Sequence, residues 1–429
     1  MLNRLDLRGA GNDLRGKLPR PAQAAEGPVA TVKEILAEVR LRGDDAVRDF
    51  TERFDGVRPS SLRVAPEDIA AALAGLDPEL RLALESAEAG IRDFHEQQLA
   101  VDHTYERDGI VVLGRKVPVD RAGCYVPGGR AIYPSTVLMT AVPAKVAGVR
   151  EVVLCVPPDA SGQVPQVTLA AAALAGVDEV YAIGGAQAIG AMAYGTDSVR
   201  PVDVIVGPGN IYVAIAKREV AGLVGVPSSF PGPSEVVVIA DASTPADLAA
   251  VDVILQAEHG PGGLAWLISW DESVLDAICD EIDAQVLMAP RRAEIESTFA
   301  EGGHAVLVDS PEQALAVSNT IAPEHLELLT EDPSALVPLV RHAGAVFCGP
   351  WSPASVGDYL AGPSHVLPTD GTARFGSALT TSDFQKDVHV ITLSQEAIER
   401  AAPIVAAIAD AEGLAAHADS VRRRVGRGR

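Results

Sequence analysis

The sequence predicts an α/β protein with two parallel sheets flanked by helices, and three observations lead there. Short apolar runs of strand length alternate with helix-forming segments through the middle of the chain. "EVVLCVPP" (151–158), "EVYAIGG" (179–185) and "VDVIVGPG" (202–209) form one series. "EVVVIAD" (235–241), "LAWLISW" (264–270), "HAVLVDS" (304–310) and "GAVFCG" (344–349) form a second. Such near-continuous apolar runs are what parallel strands, buried on both faces, require. Finally, 429 residues are too many for one ordinary core. Two βαβ series therefore predict two Rossmann-like domains. Their opening strands, "EVVLCV" and "EVVVIA", suggest duplication, although buried strands resemble one another by composition alone.

The remaining elements follow in chain order. Residues 1–25 carry charge and glycine with little periodicity and read as an arm. From Thr31 to about Leu99 apolar residues recur at three- and four-residue spacing, as in "TVKEILAEVRLRGDDAVRDFTERF", and Pro66 suits a first helical position. Thr244-Pro245-Ala246-Asp247 and Ser310-Pro311-Glu312-Gln313 each put a hydroxyl before proline, with a polar acceptor three residues on, and read as helix caps. From Gly376 onward the chain reads as helical. The expected division is an arm (1–25), a discontinuous main α/β domain (26–124 and 236–375), an inserted Rossmann-like domain (125–235) and a small helical carboxy-terminal unit (376–429).

A net charge of −23 argues against nucleic acid or an anionic membrane as partner, since both need a basic face. The terminal "RRRVGRGR" reads as a solvated tail. No run of eighteen apolar residues exists, and the amino terminus lacks the apolar stretch of a signal peptide. The four cysteines, at 124, 155, 279 and 348, show no CxxC spacing, so a reducing cytoplasm is the expected location.

Four clusters could carry chemistry. In "ILQAEHGPGG" (254–263) an apolar helix runs into an amide, a carboxylate and an imidazole before breaking on glycines. Asp252, Gln256 and His259 share one helix face, where they could ligate a metal, or His259 could simply favour a helix end. In "NTIAPEHLELL" (319–329) Pro323 suits the first position of a helix, which would present Glu324 and His325 as two general bases or as a solvated helix start. "SVGDYLAGPSHVLPT" (355–369) reads as a loop that could bring Asp358 and His365 to a ligand. "AEGLAAHADS" (411–420) puts Gly413 at a helix stop, Glu412 in the last turn before it and His417 inside the next helix. Cys124, in "GCYVPGG", is conceivable as a nucleophile toward an aldehyde, but with no His or Lys beside it a small buried thiol is the simpler reading. No G-x-G-x-x-G or Walker motif is present; "AIGGAQAIG" and "IVGPGNIYVAIAK" offer strand–glycine–helix junctions whose backbone donors could meet phosphate.

Taken together and in order, "GCYVPGG", "GGAQAIGAMAYG", "GPGNIYV", "GPSEV", "QAEHGP", "APEHLEL", "GDYLAGPSHVLPT" and "AEGLAAH" resemble the histidinol dehydrogenases, from Thr31 to about Ser420. The resemblance implies oxidation of L-histidinol to L-histidine through bound L-histidinal in two NAD-dependent steps, the last in histidine biosynthesis. It implies one zinc ion per subunit held by Gln256, His259, Asp358 and His417. His325 would take the alcohol proton and Glu324 activate water. Ser234, His365 and Glu412 match substrate-contacting positions, and Tyr125, Gln187 and Asn210 match NAD-contacting ones. The implied assembly is a homodimer in which Glu412 and His417 serve the neighbouring subunit. A zinc-dependent hydrolase of a small amide and a non-catalytic metal-binding protein are the competing readings.

Overall fold

The structure is a computed structural model that describes residues 1–14, 16–19, 28–128, 131–227, 234–258, 260 and 262–426. Strand β1 (Asn3–Asp6) opens the chain, followed by helices α1 (Val29–Arg42), α2 (Asp44–Asp55), α3 (Pro66–Ala74) and α4 (Pro78–Gln97). A hairpin of β2 (His103–Arg107) and β3 (Ile110–Pro118) leads into β4 (Arg121–Tyr125) and α5 (Pro134–Val146). Then come β5 (Glu151–Val156), α6 (Gln166–Leu174), β6 (Glu179–Ala182), α7 (Gly185–Tyr194), β7 (Val204–Val206) and α8 (Ile211–Val220). The second series runs β8 (Glu235–Ala240), α9 (Ala246–Ala257), β9 (Leu264–Ser269), α10 (Glu272–Met288), α11 (Arg292–Gly302) and β10 (Gly303–Leu307). It continues through α12 (Pro311–Ile321), β11 (His325–Leu329), α13 (Pro333–Leu336), β12 (Ala345–Cys348) and α14 (Ala354–Tyr359). Strand β13 (Gln385–Leu393) and helices α15 (Gln395–Ala411) and α16 (Ala415–Arg422) close it.

Two parallel sheets result, as the apolar runs require. The smaller has the order β6-β5-β4-β7 and the larger β1-β10-β9-β8-β11-β12. Side chains alternate in destination along each strand. In β8, Val236 and Val238 enter the core on one face of the larger sheet, and Val237 and Ile239 the core on the other. The smaller sheet is sandwiched likewise between two apolar clusters.

Several expectations need correction. The arm supplies β1, an edge strand of the larger sheet, and Leu14 is buried beneath that sheet. The segment from Gly376 is not helical throughout: β13 pairs antiparallel with β3, making a three-stranded sheet with β2. All of β13 but its two end residues is exposed, including Val388, Val390 and Ile391, so it lacks the covered faces that write a buried strand into the sequence. Packing also groups α1–α4 with the smaller sheet, where Val32, Ile35 and Val39 meet α7 and Ile91 joins the core under α5, rather than with 236–375. Ser310 does cap α12, accepting from Gln313 N. Thr244 does not cap α9; its hydroxyl accepts from Asp241 N at 2.9 Å and donates to Leu329 O, tying the loop to β11. No described helix is long and apolar enough to cross a membrane.

Candidate active site

The larger sheet gathers its chemistry at the amino-terminal ends of β8 and β11. Helix α12 ends on Ala322, which adopts the left-handed conformation (φ 54°) and donates its N–H to Ser318 O at 2.8 Å. Pro323 follows that cap, where proline stops a helix rather than starting one. The expected helix beginning at Pro323 is therefore absent. "HLELL" becomes a central strand paired on both sides, by β8 and β12. Gly344 lets β12 approach: a Cβ there would stand 2.5 Å from Glu324 O.

Glu324 and His325 are thus delivered by a strand end and both are buried. Glu324 Oε2 accepts from Glu235 N at 3.0 Å and lies 3.6 Å from His325 Nδ1. His325 Nδ1 donates to Glu235 O at 3.1 Å, leaving Nε2 to face Asp358 Oδ1 at 3.4 Å. The ring stacks on Phe347 of β12. Burial alone would push this imidazole down, but Glu324 and Asp358 outweigh it and push it up to about 9. Burial pushes the Glu324 carboxyl up to about 7 against the opposing pull of His325 and the Glu235 N–H. Glu324 is thereby poised near neutrality, while His325 is held protonated by its two carboxylate neighbours.

Asp358 sits on α14, a short helix rather than the expected loop. His365 does occupy a loop, and both its ring nitrogens are engaged: Nδ1 donates to Asp358 O at 2.8 Å, and Nε2 is 3.1 Å from Thr136 Oγ1 on α5. With Ser364 Oγ donating to Met139 O, this loop fastens the site to the smaller sheet's helices. Ser234 lies at the mouth of β8, its carbonyl taking Leu264 N at 3.1 Å. Gln256, in the last turn of α9, is 2% exposed and its Nε2 has no partner. His259 lies outside the described residues. Glu412 caps α15 before Gly413, and His417 is inside α16, as the sequence predicts; both are exposed, on a unit with its own small core of Ala402, Ala406, Ala409, Ala418 and Val421.

Among the described residues no three His, Cys, Asp or Glu side chains form a metal cage. Even so, the donor types suit a divalent cation. Gln256 offers a buried amide whose oxygen could ligate, and Asp358 a partly buried carboxylate.

The nucleotide candidates gather at the carboxyl ends of the smaller sheet's strands, where open α/β sheets bind ligands. Tyr125 ends β4, and its hydroxyl accepts from Gly185 N at 3.1 Å at the start of α7. Gln187, two residues on, is fully buried and neither of its side-chain polar atoms has a partner. Asn210 caps α8, accepting from Tyr212 N and Val213 N. Gly207 (φ 105°) lets the β7 loop close on β4, since a Cβ there would run into Tyr125 O. Cys124 is fully buried and burial pushes its thiol up to about 12, so it offers no thiolate.

Glu235 and Glu327 escaped the sequence reading. The signal was there: each is a lone carboxylate in an otherwise apolar strand, "EVVVIA" and "HLELL". Both are buried, and burial first pushes them up, Glu235 to about 8 and Glu327 to about 9.

Fold and site define an α/β enzyme with buried acid–base groups where two parallel sheets adjoin. Comparison with known proteins is more specific. The family model for histidinol dehydrogenase matches residues 18–425. A histidinol dehydrogenase of Parasynechococcus marenigrum (strain WH8102) is 51% identical over 395 residues, 92% of this chain and 90% of that protein. One of Chlorobium chlorochromatii (strain CaD3) is 47% identical over 413 residues, 96% of each. The crystal structure of histidinol dehydrogenase from Elizabethkingia anophelis superposes with a TM-score of 0.93 at 34% identity, covering 99% of this chain and 98% of that one. The chain belongs to the histidinol dehydrogenase family and is an oxidoreductase. That role fits histidine biosynthesis.

Proposed function

We propose that the protein oxidises L-histidinol to L-histidine through L-histidinal, with zinc and NAD bound, by two successive dehydrogenations on one bound substrate. The observation that carries this reading is His325, whose Nδ1 is anchored on Glu235 O and whose Nε2 faces Asp358, with Glu324 alongside. One base for two oxidations and one carboxylate for the hydration between them is the set such a sequence needs.

Gln256, His259 and Asp358, with the partner's His417, would hold the zinc. When bound, zinc would supply a fixed positive charge to anchor the substrate, and NAD a nicotinamide to accept the hydride of each oxidation. The chain's own groups do the proton work. His325 Nε2 takes the hydroxyl proton of histidinol as the carbon loses hydride, giving the aldehyde. Glu324 takes a proton from water as the water oxygen bonds the aldehyde carbon, while His325 gives the proton it took from the alcohol to the aldehyde oxygen, giving the diol. His325, relieved of its first proton, takes one diol proton in the second oxidation, giving the carboxylic acid. Charge neutralised at Asp358 removes part of what holds His325 protonated, bringing it toward the range where it can act as a base.

Tyr125, Gln187 and Asn210 are proposed for the nucleotide, supported by the orphaned Gln187 amide and by the convergence of three loops at the sheet's carboxyl ends. Ser234 and His365 border the substrate space, His365 by holding α14 against α5. The exposure of Glu412, His417 and the apolar Ile404, Ile408 and Leu414 supports a homodimer in which Glu412 and His417 reach the partner's substrate. The test is to supply the zinc-loaded protein with histidinol and excess NAD and follow NADH absorbance. Two NADH per histidinol are expected. One per histidinol contradicts the second step, and none favours a hydrolase.

A further inference from the structure

The buried carboxyls of Asp252 and Glu327 belong to neither the base cluster nor the ligand set, yet they bridge the three elements that carry Gln256, His325 and Asp358. Glu327 is on the same face of β11 as His325, two residues on. Its carboxyl hydrogen-bonds that of Asp252 on α9, and its Oε1 accepts from Ala354 N, the first residue of α14, at 3.3 Å. Both side chains are buried, Asp252 at 5% and Glu327 at 0% exposed. Burial, then the neighbouring Asp252 charge, push Glu327 up to about 9, so one proton stays between the two carboxyls.

The spacing gives this hub a purpose. Helix α9 connects parallel neighbours β8 and β9 and so runs opposite to the strands. Four residues along a helix advance about 6 Å, and two along a strand about 6.6 Å. One turn beyond Asp252 is Gln256, one turn beyond Ala354 is Asp358, and two residues back from Glu327 is His325. By this spacing the Glu327 hub lies one layer deeper than His325, Asp358 and Gln256, which it brings toward one level; there Asp358 and His325 are 3.4 Å apart.

We propose that Asp252 and Glu327 are positioning residues that fix the register of α9 and α14 against β11, and thereby hold Gln256 and Asp358 at the spacing one divalent cation needs. The proposal rests on the reading of Gln256 and Asp358 as zinc ligands. Outer partners of metal ligands commonly govern affinity by 10- to 100-fold.

The test measures zinc retention against a chromogenic chelator, below the melting transition, in the full-length wild type, Glu327→Gln, Glu327→Leu and Asp252→Ala. Glutamine can donate to Asp252 while accepting from Ala354, so Glu327→Gln should retain zinc within about threefold of wild type. Glu327→Leu loses both bonds, and zinc should leave about 10- to 100-fold more readily. Asp252→Ala releases only α9 and should fall between the two. At saturating zinc, kcat for histidinol should recover more fully in Glu327→Gln than in Glu327→Leu. A folded Asp252→Ala or Glu327→Leu with wild-type chelator resistance overturns the proposal, as does a Glu327→Gln as leaky as Glu327→Leu. Failure of the underlying metal reading registers separately, as wild-type protein that binds no zinc.

Discussion

Glu235→Gln should stabilise the protein increasingly as pH rises. Glu235 is 2% exposed at the first position of β8, with Oε1 accepting from Asp370 N at 3.0 Å and Oε2 buried without a partner. Burial, then the Glu324 charge, raise its pKa from the ordinary 4.5 to about 8. Between those values the folded chain holds a proton that the unfolded chain releases. The group's contribution is therefore fully present below 4.5 and is lost as pH climbs to about 8. Each pH unit in that window corresponds to about 1.4 kcal/mol, so wild type should lose about 4 kcal/mol from this residue between pH 5 and 8. Glutamine stays neutral throughout and keeps an acceptor for Asp370 N; whatever offset its amide introduces does not vary with pH. Thermal midpoints of both proteins at pH 5, 6, 7 and 8, under identical zinc and salt, should show the variant's advantage widening by about 5 °C for a chain of this length. A gap that is flat or narrows with pH refutes the reasoning.

His325→Asn should lose both oxidations by about 10²- to 10⁴-fold, while Glu324→Gln should impair histidinal oxidation more than histidinol oxidation. Separate NADH assays on the two substrates decide this, and equal loss of both in Glu324→Gln contradicts the assigned roles. Cys124→Ser should leave turnover near wild type, because the thiol is fully buried and pushed up to about 12. A loss of about tenfold or more without a fall in melting temperature would restore the thiol as nucleophile. Mixing inactive His259→Ala and His417→Ala subunits should restore activity, since a mixed dimer then contains one intact site; a mixture that stays dead means each subunit supplies all four ligands itself.

Of the ten parallel strands, β5 to β10 and β12 were legible, because burial writes itself into sequence as unbroken apolar runs; β1, β4 and β11 were not. Strands β2, β3 and β13 were missed too, since β2 and β13 are exposed nearly throughout, β3 is only partly covered, and "HTYERDGIVVLGRKVP" carries charge and glycine that mimic loop. The "APEHLEL" segment misled for a different reason. Proline marks a helix start and a helix stop equally well, and only Ala322 in the left-handed conformation decides between them. Gln256, Glu324, His325 and Asp358 were each legible as residues, but the meeting of Glu324 and His325 with Asp358 was not. It depends on the end of β11 and the short α14 arriving together. Glu235 and Glu327 went unnoticed because a single carboxylate in an apolar run reads as a surface residue until the sheet closes over it. The place of Glu412 and His417 is legible in neither the sequence nor one chain, being set by what their exposed unit faces.

Zinc-edge anomalous diffraction from crystals of the holoprotein with histidinol tests the central claim most directly. The account predicts one peak per subunit, in contact with Gln256, His259 and Asp358 and with the partner's His417, and with the substrate hydroxyl within reach of His325 Nε2. A peak away from Gln256 and Asp358, or a substrate hydroxyl turned from His325, would contradict it.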